Sequence, residues 1–255
     1  MSKRAGVLFT LPGLLALSFL AARAQEPKPK APEGIIPSAY RAFIVTDGRY
    51  PPIKLPSGKV EPDPRNRIDK IHCLVCENGL APVIGIFVRD DVNSLGADKG
   101  VAELIKKVDA LIPKHRGDKL AAFVMFLALQ GGDKVVKLTA ADGSETQLKT
   151  DIEYPDLDYK TRDKAVADIR NFASALNTPN VPFGLATNKS RANIAWGLEE
   201  ESKDDKKPEE KGVTVISYYH MRRINTWKFP EAKDLTEDKI KEIIDATESA
   251  IRGKK

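Results

Sequence analysis

Thiol and soft-metal chemistry has little to work with in this chain: 255 residues hold two cysteines and three histidines. A zinc site normally takes four ligands, or three and a water. Only one C-x-x-C pair is present, and His115 and His220 lie far from His72 in sequence. A c-type haem is excluded as a motif, because Glu77 rather than histidine follows Cys76. There is no Gly-rich phosphate loop, no nucleotide fingerprint and no Ser-His-Asp order, so no cofactor is expected. Lysines and acids are interspersed without a sustained basic stripe, so no nucleic-acid partner is expected.

Apolar runs are also scarce. The longest, Val7 to Leu20, is shorter than the about 20 residues of a membrane span. Lys3 and Arg4 precede it and Ala22-Arg23-Ala24 follows it, the pattern of a cleaved signal peptide. Residues 1–24 are therefore expected to be removed before Gln25, giving an exported protein, periplasmic or secreted, with no membrane association. Their loss takes Lys3, Arg4 and Arg23 and no acid, so the net charge falls from +5 to +2. Much of the basic balance thus belongs to the leader. Residues 25–38, rich in Pro and Lys, read as a linker. With 42% hydrophobic and 30% charged residues, 39–255 are expected to form one soluble α/β domain.

Within that domain Tyr40 to Val45 reads as a strand, with Ile53 to Val60 returning beside it. Val83 to Val88 is apolar on both faces, as in a central parallel strand. Val101, Leu104, Ile105, Val108, Leu111 and Ile112 make one helical stripe that Pro113 ends, and Leu120 to Leu129 is a second buried strand. Asp142-Gly143 suits the turn of a hairpin insertion over residues 133–150. A helix follows over Asp163 to Leu176, then a short strand over Phe183 to Thr187 and a short helix from Arg191. Residues 199–211 read as a charged loop. Val213 to Tyr219 and Ile224 to Phe229, separated by His220 to Arg223, must be antiparallel neighbours. Leu235 and Ile240 flank Thr236 as the staple of a last helix.

The order β-α-β, then α-β-β-α, resembles the thioredoxin superfamily, which implies a mixed central sheet flanked by helices. An N-terminal hairpin, and the passage Val181-Pro182-Phe183-Gly184-Leu185-Ala186-Thr187 with Ala192-Asn193-Ile194-Ala195-Trp196-Gly197-Leu198 before the next strand, resemble its peroxiredoxin and redoxin branch. Two signatures of that resemblance are absent. The reactive cysteine should follow the first core strand, where this chain reads Arg89-Asp90-Asp91-Val92-Asn93-Ser94. A proline should precede the penultimate strand, where Thr214 stands. Efficient peroxidase activity is therefore not expected.

The candidate site is His72-Cys73-Leu74-Val75-Cys76. In an oxidising compartment the pair is expected to be joined. It reads as a redox couple, with Cys73 as nucleophile, Cys76 as resolving thiol and a protein dithiol or disulfide as partner. It reads equally as the structural staple of a non-catalytic binding or scaffold domain, and less well as half of a metal site. No helix N-terminus is evident to activate Cys73. His220, beside Tyr218, Tyr219, Arg222 and Arg223, reads as an exposed turn or a small anion- or partner-binding patch. Asp90 and Asp91 read as loop or helix-entry residues, or as a cation site. Trp196 and Trp227 read as packing.

Overall fold

The computed structural model describes residues 34–36, 39–95, 99–129, 133–139, 144–151, 159–198 and 211–253. The expected signal peptide, most of the expected linker, the tip of the insertion hairpin and residues 199–210 of the charged loop lie outside these. In chain order the elements are β1 (Arg41–Thr46), β2 (Ile53–Lys54), β3 (Val60–Glu61), β4 (Ile71–Cys73), α1 (Leu74–Asn78), β5 (Val83–Val88), α2 (Val92–Leu95), α3 (Lys99–Lys114), β6 (Ala121–Leu129), β7 (Asp133–Thr139), β8 (Glu145–Asp151), α4 (Tyr159–Leu176), β9 (Phe183–Thr187), α5 (Arg191–Ala195), β10 (Val213–Tyr219), β11 (Arg222–Phe229) and α6 (Glu237–Arg252).

Seven strands form one sheet in the order β11-β10-β5-β6-β9-β1-β4. Every residue of β5 is buried, as its unbroken apolar run requires of a central strand. β5, β6 and β9 are mutually parallel, while β10 runs antiparallel to β5, and β11 to β10. A parallel βαβ half followed by an antiparallel hairpin and a covering helix is the thioredoxin-like arrangement, and the strand order confirms it. β1 adds to β9 and β4 to β1, both antiparallel.

Right-handed crossovers explain the layering. The steps from β5 to β6 and from β6 to β9 go the same way across the sheet, so α3 and α4 fall on one face. Their apolar stripes join that of α6 in one core: Leu104, Ile105 and Val108, Ile169 and Phe172, Ile240 and Ile243. The opposite face is covered by Tyr40, Leu74, Val75 and Trp196, which pack on Phe87, Phe123 and Tyr218.

Two expectations need correction. The N-terminal hairpin is present as β2 and β3, but it does not return beside β1. Ile53–Lys54 and Val60–Glu61 pair with each other around Gly58, and Ile53 and Val60 are exposed, so they offer β1 no buried surface. On the flank of β1 away from β9 the neighbour is β4, with Arg41 opposite Cys73 and Phe43 opposite Ile71. Pro113 does not end α3, which runs to Lys114. Proline costs one N–H there, and His115 N–H closes the helix on the Leu111 and Ile112 carbonyls. The insertion hairpin does form, as a two-stranded sheet of its own. At the linker's end, Ile35 bridges to Arg222 and Ile36 is buried, its N–H donating to the Met221 carbonyl at 2.7 Å.

Tyr218 shows what this packing does to a polar group. Its ring is fully buried, and its hydroxyl has no hydrogen-bond partner among the described residues. Burial pushes its pKa well above the ordinary tyrosine value of 10.0. A raised folded-state pKa means stability is intact below about pH 10 and is lost as pH rises beyond it, because the unfolded chain ionises first. An unpaired buried hydroxyl also costs about 1–3 kcal/mol. Tyr218→Phe is therefore expected to hold or raise stability at pH 7 and to flatten the decline above pH 10. Urea unfolding at pH 7 and pH 10.5 checks this; a variant that falls as steeply as wild type contradicts it.

Candidate functional site

The site is built at the edge of the sheet. Cys73 ends β4 and also caps α1, the single turn that follows. It is bonded to Cys76, with the two Cα atoms 5.3 Å apart. Cys76 N–H donates to Cys73 Sγ at 3.0 Å. Leu74 and Val75, between the cysteines, are buried in the core and seat the turn on the sheet face. Gly79, at φ 52°, ends it with its N–H on the Val75 carbonyl, and the Asn78 amide closes on Leu74.

This revises the sequence expectation twice. A helix start does supply a donor to Cys73 Sγ, and a hydrogen bond to sulfur favours the thiolate over the thiol. The cysteines also differ in access: Cys73 is half-buried against the core, whereas Cys76 is exposed. The outer cysteine is the second, not the first.

A polar network braces the pair from both sides. His72 precedes it and Glu77 follows it, and His72 Nε2 lies 3.0 Å from Glu77 Oε2. Glu77 also accepts from the Tyr50 hydroxyl at 3.0 Å and from Arg49 Nη2 at 3.3 Å. Arg49 in turn donates in bidentate fashion to the buried Asp47, at 2.8 and 2.7 Å. Burial opposes the charge on Arg49, yet the bonds it donates to Asp47 and the nearby carboxylate charges outweigh it and hold the guanidinium above its ordinary pKa. Burial, then the bond to Glu77, raises the Tyr50 phenol. The loop after β1 and the turn after β4 are thereby tied across the disulfide. Glu77 was legible as a neighbour of Cys76; Arg49 and Tyr50 carried no sequence signal, since only the fold brings them here.

The other candidates are not gathered at this site. The loop after β5 lies four strand spacings from β4, about 19 Å across the sheet. There Asp90 accepts the Gly212 N–H at 3.0 Å, and Asp91 accepts the Asn93 N–H at 3.0 Å as the entry cap of α2. Gly212 sits at φ 99°, and a Cβ there would overlap the Phe229 carbonyl. Thr214 lies within β10, paired with Phe87 and Lys228. His115 stands near Asp118 and Glu248, both at 3.4 Å. His220 and Met221, at φ 49° and 57°, make the β10–β11 turn; His220 stacks on Tyr219 at 3.7 Å. Trp196 is core, whereas Trp227 is half-exposed and donates to Glu242 at 3.0 Å. Among the described residues no three His, Cys, Asp or Glu side chains converge in a way that could hold a metal ion.

No family model matches the chain, and no curated protein matches it. Solved structures show a distant likeness. A cysteine-to-serine variant of peroxiredoxin Q from Xanthomonas campestris aligns with 10% identity over 72% of this chain and 87% of its own, at a TM-score of 0.41. The yeast mitochondrial 1-Cys peroxiredoxin aligns with 9% identity over 78% and 67%, at 0.39. Copper-bound ScoI of Bradyrhizobium japonicum aligns with 11% identity over 83% and 99%, at 0.34. Likenesses this remote assign no activity. The fold rests on this chain's own strand order and register.

Proposed function

We propose that this protein is an exported thiol–disulfide exchange protein acting through Cys73 and Cys76. The observation that carries the reading is the asymmetry of the pair: an exposed Cys76 joined to a half-buried Cys73 whose sulfur accepts the Cys76 N–H. An incoming client thiolate attacks Cys76 Sγ. The Cys73–Cys76 bond breaks, a client–Cys76 bond forms, and the electron pair leaves on Cys73 Sγ, which the N–H stabilises. A second client thiolate then attacks the client sulfur of the mixed disulfide and expels Cys76. The client dithiol is oxidised to a disulfide and the protein reduced to a dithiol. The reverse sequence reduces a client disulfide. This exchanges the roles that sequence order alone suggests for the two cysteines.

One observation favours a structural staple instead: the bond joins an edge strand to the turn that leaves it, and Cys73 packs against the core. Equilibration with a glutathione or dithiothreitol series separates the readings. An exchange pair is expected between about −270 and −120 mV, with fast alkylation of Cys76 after reduction. A potential below about −300 mV with slow alkylation of both thiols establishes the staple.

Export belongs to the same proposal, because an oxidising compartment keeps the pair joined. Mass spectrometry of protein from the exported fraction is expected to find Gln25 as the N-terminus. An intact Met1 in that fraction contradicts it. Peroxide reduction is not part of the function, since the loop after β5 holds no thiol.

A further inference from the structure

Strand register gathers three cations at one end of the sheet. Thr214 stands between Phe87 on β5 and Lys228 on β11. Arg89, two residues past Phe87, follows it on the same face, since side chains alternate along a strand. Its N–H donates to the Gly212 carbonyl at 2.9 Å. Arg89, Lys211 and Lys228 line a cleft of about 320 Å³, walled by Leu198, Phe229 and Pro230. The cleft lies at the carboxyl end of β5, the end at which ligands bind in open α/β sheets.

The Arg89 guanidinium is half-buried and fixed: Nη1 donates to the Asn188 carbonyl at 2.9 Å and Nη2 to the Leu198 carbonyl at 3.0 Å. Carbonyls orient the fork but leave its charge uncancelled, unlike the carboxylate of Asp47 at Arg49. Neither bond exhausts the donors of a guanidinium. No carboxylate lines the cleft. Asp90, next in sequence, instead accepts the Gly212 N–H at 3.0 Å. Among the described residues Lys211 and Lys228 form no ion pair, whereas Lys107, Lys164, Lys239 and Lys241 all do. A concave site lined by one sign of charge concentrates the opposite sign.

We propose that this cleft binds a small organic phosphate, with the phosphoryl group against Arg89, Lys211 and Lys228 and an apolar body along Phe229 and Pro230. Three cations suit a dianion better than a carboxylate, and the arginine fork matches phosphate oxygens. The volume falls within the about 300–1,000 Å³ of small-molecule sites, which leaves room for more than a bare phosphate. The site is four strand spacings from Cys73 and stands whether or not the disulfide exchanges.

The test titrates the protein, disulfide intact, with phenyl phosphate, inorganic phosphate and benzoate, by calorimetry and by amide chemical shifts. Phenyl phosphate is expected to bind about tenfold more tightly than inorganic phosphate, the effect of burying a small apolar group. It is also expected to bind more tightly than benzoate, and to shift the Gly212 and Thr214 amides. Lys228→Glu is expected to weaken phenyl phosphate by about tenfold or more, because it sets a like charge against the ligand. Lys106→Glu makes the same charge change on α3, over the opposite face, and is expected to leave binding intact. Lys228 and Lys106 are exposed, so neither variant threatens the fold. No saturable binding of phenyl phosphate overturns the site, and so do binding that survives Lys228→Glu and an equal loss in Lys106→Glu. Benzoate binding as tightly as phenyl phosphate overturns the phosphate assignment.

Discussion

Cys73→Ser is expected to accumulate a long-lived mixed disulfide through Cys76, and Cys76→Ser to lower exchange to the uncatalysed background. The prediction follows from access. Exchange needs an approach to one sulfur along the line of the bond being broken, and only Cys76 is exposed. By microscopic reversibility the same intermediate, client joined to Cys76, is crossed in both directions, so the asymmetry does not depend on whether clients are oxidised or reduced. With Cys73 replaced, no internal thiolate resolves that intermediate. With Cys76 replaced, the remaining thiol is half-buried and has lost its partner. Non-reducing electrophoresis of each variant after incubation with a model disulfide reads the outcome. Trapping through Cys73 in the Cys76→Ser variant, with none through Cys76, would reverse the assignment.

Trp196→Ala is expected to be the most destabilising of the single aromatic truncations on its face of the sheet, by about 3–5 kcal/mol. For a domain of this size that lowers Tm by about 2–4 °C per kcal/mol. Trp196 is 1% exposed, and its ring meets Tyr40, Phe87 and Tyr218 at centroid distances of 5.7, 5.7 and 6.0 Å. Those residues come from the start of β1, from β5 and from β10, so one ring joins segments far apart in sequence. Its carbonyl also accepts Arg223 Nη2 at 2.7 Å. Trp227→Ala is the control: that ring is half-exposed and should cost much less. Thermal unfolding of both variants decides it, and equal losses would show that the Trp196 cluster is not the keystone of its layer.

The two tryptophans also show where the sequence is readable and where it is not. Both read as packing, and nothing local separates the buried one from the half-exposed one. By contrast Val83–Val88, Phe183–Thr187 and Val213–Tyr219 have the bounds that their apolar runs suggest, because Pro82, Pro182 and Gly212 mark their starts. The helices follow their stripes with ends shifted by a few residues. The candidate site is legible in identity, as Cys73 and Cys76, but not in architecture. A three-residue strand and a five-residue helix are too short to show a period of two or 3.6. Their pairing partner, β1, lies about thirty residues back, so register is decided by tertiary contact. That hid both the donor to Cys73 Sγ and the inversion of access between the two sulfurs.

The place of the disulfide outside the parallel strands bears on how such a protein can change. Between the end of β1 and the start of β5 the chain makes an excursion that carries β2, β3, β4, α1, both cysteines and the Glu77 network, then returns to the central strand. The buried residues of the core between the sheet and the helices over its other face all lie outside that segment. Such a segment behaves as a cassette: its length and chemistry can drift, or be transplanted onto a related scaffold, while the scaffold supplies only the flank of β1 and the apolar bed under Leu74 and Val75.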